Sequence, residues 1–272
     1  MSWFGGEPLA AKEIVLDVAR HALECAHASG SILSGNLTTN GYFLTPTLMG
    51  ELVRLNHNNF QISLDGSREL HNKTRILANG GGTFDRILRN LIQLSETNFD
   101  FTITIRLHLT ETNAASLESL IYLLSSLFGN DKRFQIFFKK INQLTATLPS
   151  DLHLISKERE TDIANKLSKQ ALLHGLRVAS SGNAKMCYAA RPNSLAIRAS
   201  GKIQKCTVLL DSDINDVGLL ESNGTISLNS AKLLEWVTGI LSEDPIALAC
   251  PATAIKRQRN VTFFKSIPVD IV

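Results

Sequence analysis

The apolar positions of this chain alternate between two rhythms. Behind Gly5-Gly6-Glu7-Pro8, the residues Ile14, Val18, Ala22 and Cys25 recur at spacings of three and four, which predicts a helix with one apolar face. Pro8 suits its first turn, where a missing N–H goes unnoticed, and Gly30 ends it. A strand-like stretch runs from Ser31 to the turn signal Asn40-Gly41, and a second helix is expected over 47–55. The alternation then repeats, with a strand at 60–64, a helix behind the N-cap candidate Thr83 and a strand at 101–109. A helix marked by Leu117, Leu120, Ile121 and Leu124, a strand at 133–141 and a helix at 163–173 stopped near Gly175 follow. Strand and helix alternating with short connections predict a parallel α/β sheet or barrel. After about Ser180 the pattern changes. Two hairpins are expected around Ser200-Gly201 and Asn223-Gly224, then a helix carrying Leu233, Leu234, Val237 and Leu241. This predicts two domains, 1–180 and 181–272, the second small and α+β.

Composition adds little except by exclusion. A chain of 272 residues with 44% hydrophobic and 19% charged content can bury a real core. The net charge is +3, and the basic residues are scattered, the densest at Lys132–Arg133, Lys139–Lys140 and Lys256–Arg259. A nucleic-acid reader would gather them on one face with stacking aromatics, so no nucleic-acid partner is expected. No apolar run reaches the ~20 residues that span a bilayer, and no basic-then-apolar leader opens the sequence. No membrane partner and a cytoplasmic location are therefore expected. Four cysteines, at 25, 187, 206 and 250, are too few and too spread for a disulfide scaffold.

Three features could carry chemistry. Gly5-Gly6-Glu7-Pro8 is either a tight turn into a helix or a binding site, since paired glycines admit a ligand to the backbone and a carboxylate can hold an ammonium group. In parallel α/β folds, ligands gather at the C-terminal ends of strands. Cys187, Cys206 and Cys250 are either soft ligands for an iron–sulfur cluster or zinc, or buried thiols. Cys25 follows His21 by one helical turn, and with no third ligand nearby it is expected to pack in the core. The run Gly80-Gly81-Gly82 is no phosphate loop, because no Gly-Lys-Ser/Thr follows. It reads as a flexible lead-in to the Thr83 helix.

Trp3-Phe4-Gly5-Gly6-Glu7-Pro8-Leu9 resembles the second-strand motif of radical S-adenosylmethionine (SAM) enzymes. Gln61-Ile62-Ser63-Leu64-Asp65-Gly66 resembles the fourth-strand segment of that family, and His71 to Arg75 continues the pattern. Gly82-Thr83-Phe84-Asp85-Arg86, Thr39-Asn40-Gly41, Arg106 and Asn113 are similar to residues at corresponding places. The resemblance implies that Gly5, Gly6, Glu7, Pro8, Ser63, Asp65, Arg75 and Arg106 bind SAM, with His71 lining the site. Further on, Cys187 to Asn193, Gly201, Lys205-Cys206-Thr207, Val217-Gly218-Leu219, Asn223-Gly224, Trp236 and Cys250 resemble the SPASM or twitch module of peptide-modifying members. That implies Cys187, Cys206 and Cys250 as metal ligands for at most one auxiliary [4Fe–4S] cluster, the fourth ligand coming from elsewhere.

The resemblance implies a partial (β/α)6 barrel lacking its first βα unit, with five of six strands kept, followed by an auxiliary-cluster module. The implied chemistry is hydrogen abstraction from a peptide or protein side chain by a 5′-deoxyadenosyl radical, as in sulfatase maturation, with a reductant such as flavodoxin or ferredoxin. The family holds its catalytic [4Fe–4S] cluster in a CxxxCxxC loop, and these 272 residues contain none. The chain is therefore expected to be a truncated, poorly soluble form, inactive alone. The alternative is a non-catalytic peptide- or cluster-binding module.

Overall fold

The computed structural model describes residues 1–110, 113–140, 157–179 and 186–265. The chain divides into two compact units, Met1–Ser181 and Gly182–Val272. The division expected between residues 180 and 181 lies outside the described residues.

In the first unit the order is β1 (Ser2–Trp3), α1 (Lys12–Ala28), β2 (Gly35–Thr39), α2 (Pro46–Arg54), β3 (His57–Leu64), α3 (Arg68–Thr74) and α4 (Phe84–Ser95). β4 (Thr102–Leu109), α5 (Ala114–Phe128), β5 (Phe134–Lys140), α6 (Lys157–Leu173) and β6 (Arg177–Val178) complete it. The six strands form one parallel sheet in sequence order, β1-β2-β3-β4-β5-β6. This α/β class is the one expected, but the sheet has a sixth strand, Arg177–Val178, beyond the five read from the sequence. Two residues cannot display a period-two pattern, so their pairing with Gln135 and Ile136 had no local signal.

Strand register explains where a site can form. Leu37, Phe60, Ile103 and Phe134 lie side by side across the sheet, as do Thr39, Ile62, Ile105 and Ile136. These rows are buried and join the helices' apolar faces in a single core. The opposite face carries Thr38, Gln61, Thr104 and Gln135 in one row and Ser63, Arg106 and Phe137 in the next. Parallel strands covered on both sides are apolar throughout. Here alternation leaves one face largely polar, and that face ends in the loops at the strands' C-termini.

Helix α1 departs from the expected face. Val15, Leu16 and Ala19 are buried, whereas Ile14 and Val18 are 63% and 43% exposed. Cys25, expected in the core, is also exposed, with its sulfur 3.5 Å from His21 Nε2. Two apolar stripes coexist on this helix, and spacing by three and four fits either. β1 pairs with β2 alone. Thr83 occupies the N-cap of α4 but makes no side-chain cap. Instead Asn72 Oδ1 accepts the N–H groups of Thr83 and Phe84, at 2.9 and 3.1 Å. The glycine run is a hydrogen-bonded hairpin rather than a loose lead-in: Leu77 N–H donates to Gly81 O and Gly80 N–H to Leu77 O.

The second unit holds β7 (Ala196–Ile197), β8 (Lys202–Gln204), β9 (Asp216–Leu220), β10 (Ile226–Leu228), α7 (Ser230–Ser242), α8 (Pro245–Ala249) and α9 (Pro251–Lys265). Its strands form an antiparallel sheet, β10-β9-β8-β7. A small core of Ala189, Ile203, Val217, Trp236, Ala252 and Ile255 fills it, with Cys187 and Cys206 packed at its margin.

Candidate active site

The turn after β1 begins the site. Gly5 and Gly6 have φ of +83° and +54°, a left-handed backbone that disfavours any side chain. A Cβ at either would meet no atom within 4 Å. The glycines therefore serve backbone conformation and leave open space above the turn. Glu7 closes it. Its Oε1 accepts Leu9 N–H at 3.0 Å, capping the 3₁₀ turn Pro8–Ala11, and Thr39 Oγ1–H at 2.6 Å. Its Oε2 accepts Asn40 N–H at 2.6 Å. The carboxylate thus clamps the β1 turn to the end of β2, and the turn's free backbone, more than Glu7, faces the open space.

Asp65 organises the ends of β3 and β4. Its Oδ2 accepts Arg75 Nε at 2.7 Å and Thr74 Oγ1 at 3.0 Å, and its Oδ1 accepts His108 Nδ1 at 2.8 Å. Burial alone would raise this carboxyl, but the His108 hydrogen bond and the Arg75 charge outweigh it and hold the group well below the usual carboxylate range. Asn113 ties the loop after β4 to the same place. It donates to Asp65 O and His108 O and accepts Thr110 N–H. One strand position earlier, Arg106 Nε donates to Ser63 Oγ at 3.1 Å and Nη1 to Gln61 Oε1 at 3.3 Å. A guanidinium has five N–H donors, so further donors remain for an anion on the polar face.

His71 sits behind this network, fully buried. Asp65 N–H donates to its Nδ1 at 3.4 Å, and its Nε2 lies 3.0 Å from Thr83 Oγ1, which itself donates to Arg75 O. This chain fixes a neutral imidazole protonated at Nε2, and burial brings its pKa down to about 4. His71 is therefore a buried brace holding Asp65 and Arg75 rather than a lining residue.

Of the expected residues, the structure sets Asp65 with Arg75 and Ser63 with Arg106 in two neighbouring hydrogen-bonded groups, and places Gly5, Gly6, Glu7 and Pro8 after β1, tied to the end of β2. His108 and Thr74 were missed in the sequence. His108 could have been found, because it lies two residues after Arg106 in an alternating strand and so shares its face.

Cys187, Cys206 and Cys250 are free thiols, the first two half-buried and the third exposed. Among the described residues, no three His, Cys, Asp or Glu side chains converge as a metal set. Cys206 Sγ accepts Val208 N–H, and Cys250 Sγ accepts Thr253 Oγ1–H. Burial pushes the pKa of the Tyr188 hydroxyl up, and Cys206 and Cys187 add to it, so both thiols lie near that one group.

Several solved structures share this fold. A native anSMEcpe structure with bound AdoMet superposes with a TM-score of 0.65 at 17% identity, covering 86% of this chain and 65% of that one. A second, with bound AdoMet and Cp18Cys peptide, gives 0.65 at 16% identity, covering 86% and 66%. Streptococcus suis SuiB gives 0.55 at 14% identity, covering 94% and 63%. The chain thus spans just under two thirds of the length of each. The cofactors that accompany a radical SAM domain are SAM and a [4Fe–4S] cluster. The open turn and the Arg106 donors suit SAM, whereas the four cysteines contain no CxxxCxxC. Residues 1–121, which carry the glycine turn and the Asp65 network, match the model of the Radical SAM superfamily.

Proposed function

We propose that the first unit binds SAM across the C-terminal ends of β1 to β4, within an enzyme that modifies a peptide or protein side chain. The observation that supports this most is the single polar constellation formed by the Gly5–Glu7 turn, Ser63, Asp65, Arg75 and Arg106. In this reading the backbone of Gly5 and Gly6 receives the ammonium of the methionyl end, and Arg106 pairs with the carboxylate. Asp65, held ionised by Arg75 and His108, fixes the far wall. Bound SAM would supply the 5′-deoxyadenosyl radical that abstracts hydrogen, given one electron from an iron–sulfur cluster to break its C5′–S bond and release methionine. A peptide or protein as substrate is supported by the fold shared with a structure holding a Cp18Cys peptide. Flavodoxin or ferredoxin would be the reductant, in a reducing cytoplasm that leaves the thiols free. Among the described residues, no helix is long and apolar enough to cross a membrane.

These 272 residues do not themselves supply the CxxxCxxC ligands, so they do not cleave SAM reductively alone. That favours a second reading, a binding module of the same family that holds a peptide without catalysis. Cys187, Cys206 and Cys250 are the soft ligands of the second unit in either case, with the fourth donor coming from elsewhere. Calorimetric titration with SAM tests the first reading. Saturable binding by the wild type, lost in Glu7→Ala as the turn detaches from β2, supports it. No saturable binding leaves only the peptide module.

A further inference from the structure

The glycine turn hangs from a strand of only two residues, paired on one side, and a side chain two strands away braces it. Trp3 Nε1–H donates to His57 Nε2 at 3.1 Å. The other ring nitrogen, Nδ1, lies 2.8 Å from Leu55 O and so donates to it. The imidazole reaches across β2 through a gap that exists because residue 35 is glycine. A Cβ there would lie 2.3 Å from the ring carbons Cγ and Cδ2. The ring is fully buried, and Trp3 is the second residue before Gly5.

We infer that His57 is a positioning residue for the Gly5–Glu7 turn, holding β1 in place as a neutral acceptor of the Trp3 indole N–H. The inference rests on the SAM reading for its functional consequence. Its structural part stands on the contacts alone. The geometry requires one tautomer, with Nδ1 carrying the proton and Nε2 the lone pair. Protonating Nε2 would set two donors face to face and release the indole. Burial already disfavours that, and the Met1 ammonium adds to the effect. Among the described residues the groups acting on the ring include no carboxylate, and the Leu55 carbonyl opposes the burial without outweighing it. The bond is therefore intact at neutral pH and lost as pH falls below 6.5 through the lowered pKa of His57.

The protein contains two tryptophans, so its indole N–H region in an NMR spectrum has two signals, and Trp3→Phe identifies one. Trp236 donates to a backbone carbonyl, Ile214 O, and serves as an internal control. The Trp3 indole and the Gly5 and Gly6 amide signals should shift together as pH falls below 6.5, with one midpoint. In His57→Gln, which offers an acceptor but cannot titrate, they should stay still. SAM affinity should weaken about tenfold in His57→Leu, as expected for a buried donor left unpaired, and stay within about threefold of wild type in His57→Gln. Trp3→Phe should weaken it similarly, which covers the case in which His57→Leu fails to fold. If the indole moves without the glycine amides, or if His57→Gln titrates like wild type, the inference falls. If wild type binds no SAM while indole and glycines titrate together, His57 still positions the turn and the SAM reading fails instead.

Discussion

The two units of this chain prepare their candidate chemistry in opposite ways. In the first, the carboxylates of the site have their partners in place: Asp65 has Arg75, Thr74 and His108, and Glu7 has Thr39 and two backbone N–H groups. Strand register puts them there, because Ser63 and Arg106 are neighbours across β3 and β4. In the second, Cys187 precedes a 3₁₀ turn and Cys250 ends a helix, Cys187 and Cys206 both lie near Tyr188, and among the described residues no three metal-ligating side chains form a set. A parallel sheet collects side chains from residues far apart in sequence at one edge.

The contrast predicts an unequal response to substitution. Asp65→Ala leaves Arg75 and His108 without their carboxylate. Breaking a buried pair costs about 3–5 kcal/mol, and the 29% exposure of the Arg75 side chain discounts that to about 2–3 kcal/mol. Urea unfolding followed at the first unit should show the loss, and the second unit's transition should not move.

Lowering pH should separate the units next. All seven histidines precede residue 182. His71 is held neutral with its pKa down at about 4, from an ordinary 6.5. A group with a depressed folded pKa stabilises fully above the unfolded value and loses that contribution as pH falls through the folded one. The first unit should therefore weaken between pH 6.5 and 4, by about 2 kcal/mol at pH 5. The second unit should be flat over that window. Calorimetric scans at pH 7 and pH 5 would show one transition moving, and His71→Gln should lessen the movement.

Smaller effects should follow from single atoms. Gly5→Ala meets open space but a positive φ, so it should cost ~1 kcal/mol from backbone alone and still weaken SAM binding by tilting the turn. Cys187→Ser, at a half-buried thiol at the margin of the small core, should change stability by less than about 0.5 kcal/mol. A loss above ~1 kcal/mol would show that the three cysteines cooperate after all.

Much of this was legible beforehand. Alternation in 101–109 predicted β4, and the helix expected behind Thr83 is α4. The glycine turn, Ser63, Asp65, Arg75 and Arg106 were named from motif resemblance. The buried side of α1 was misread because Ile14, Val18 and Cys25 lie at the same spacing as the true core face, and sequence period alone cannot choose between two stripes. His71 as a brace, His57 beneath Trp3 and the gap at Gly35 were invisible, since each depends on a contact across strands.

The most direct test of the central claim is amide hydrogen exchange of the 272-residue protein with and without millimolar SAM. The account predicts slowed exchange in segments 3–9, 61–76 and 104–110, with the second unit unaffected. Unchanged exchange in those three segments, or protection confined to residues 186–265, would contradict it.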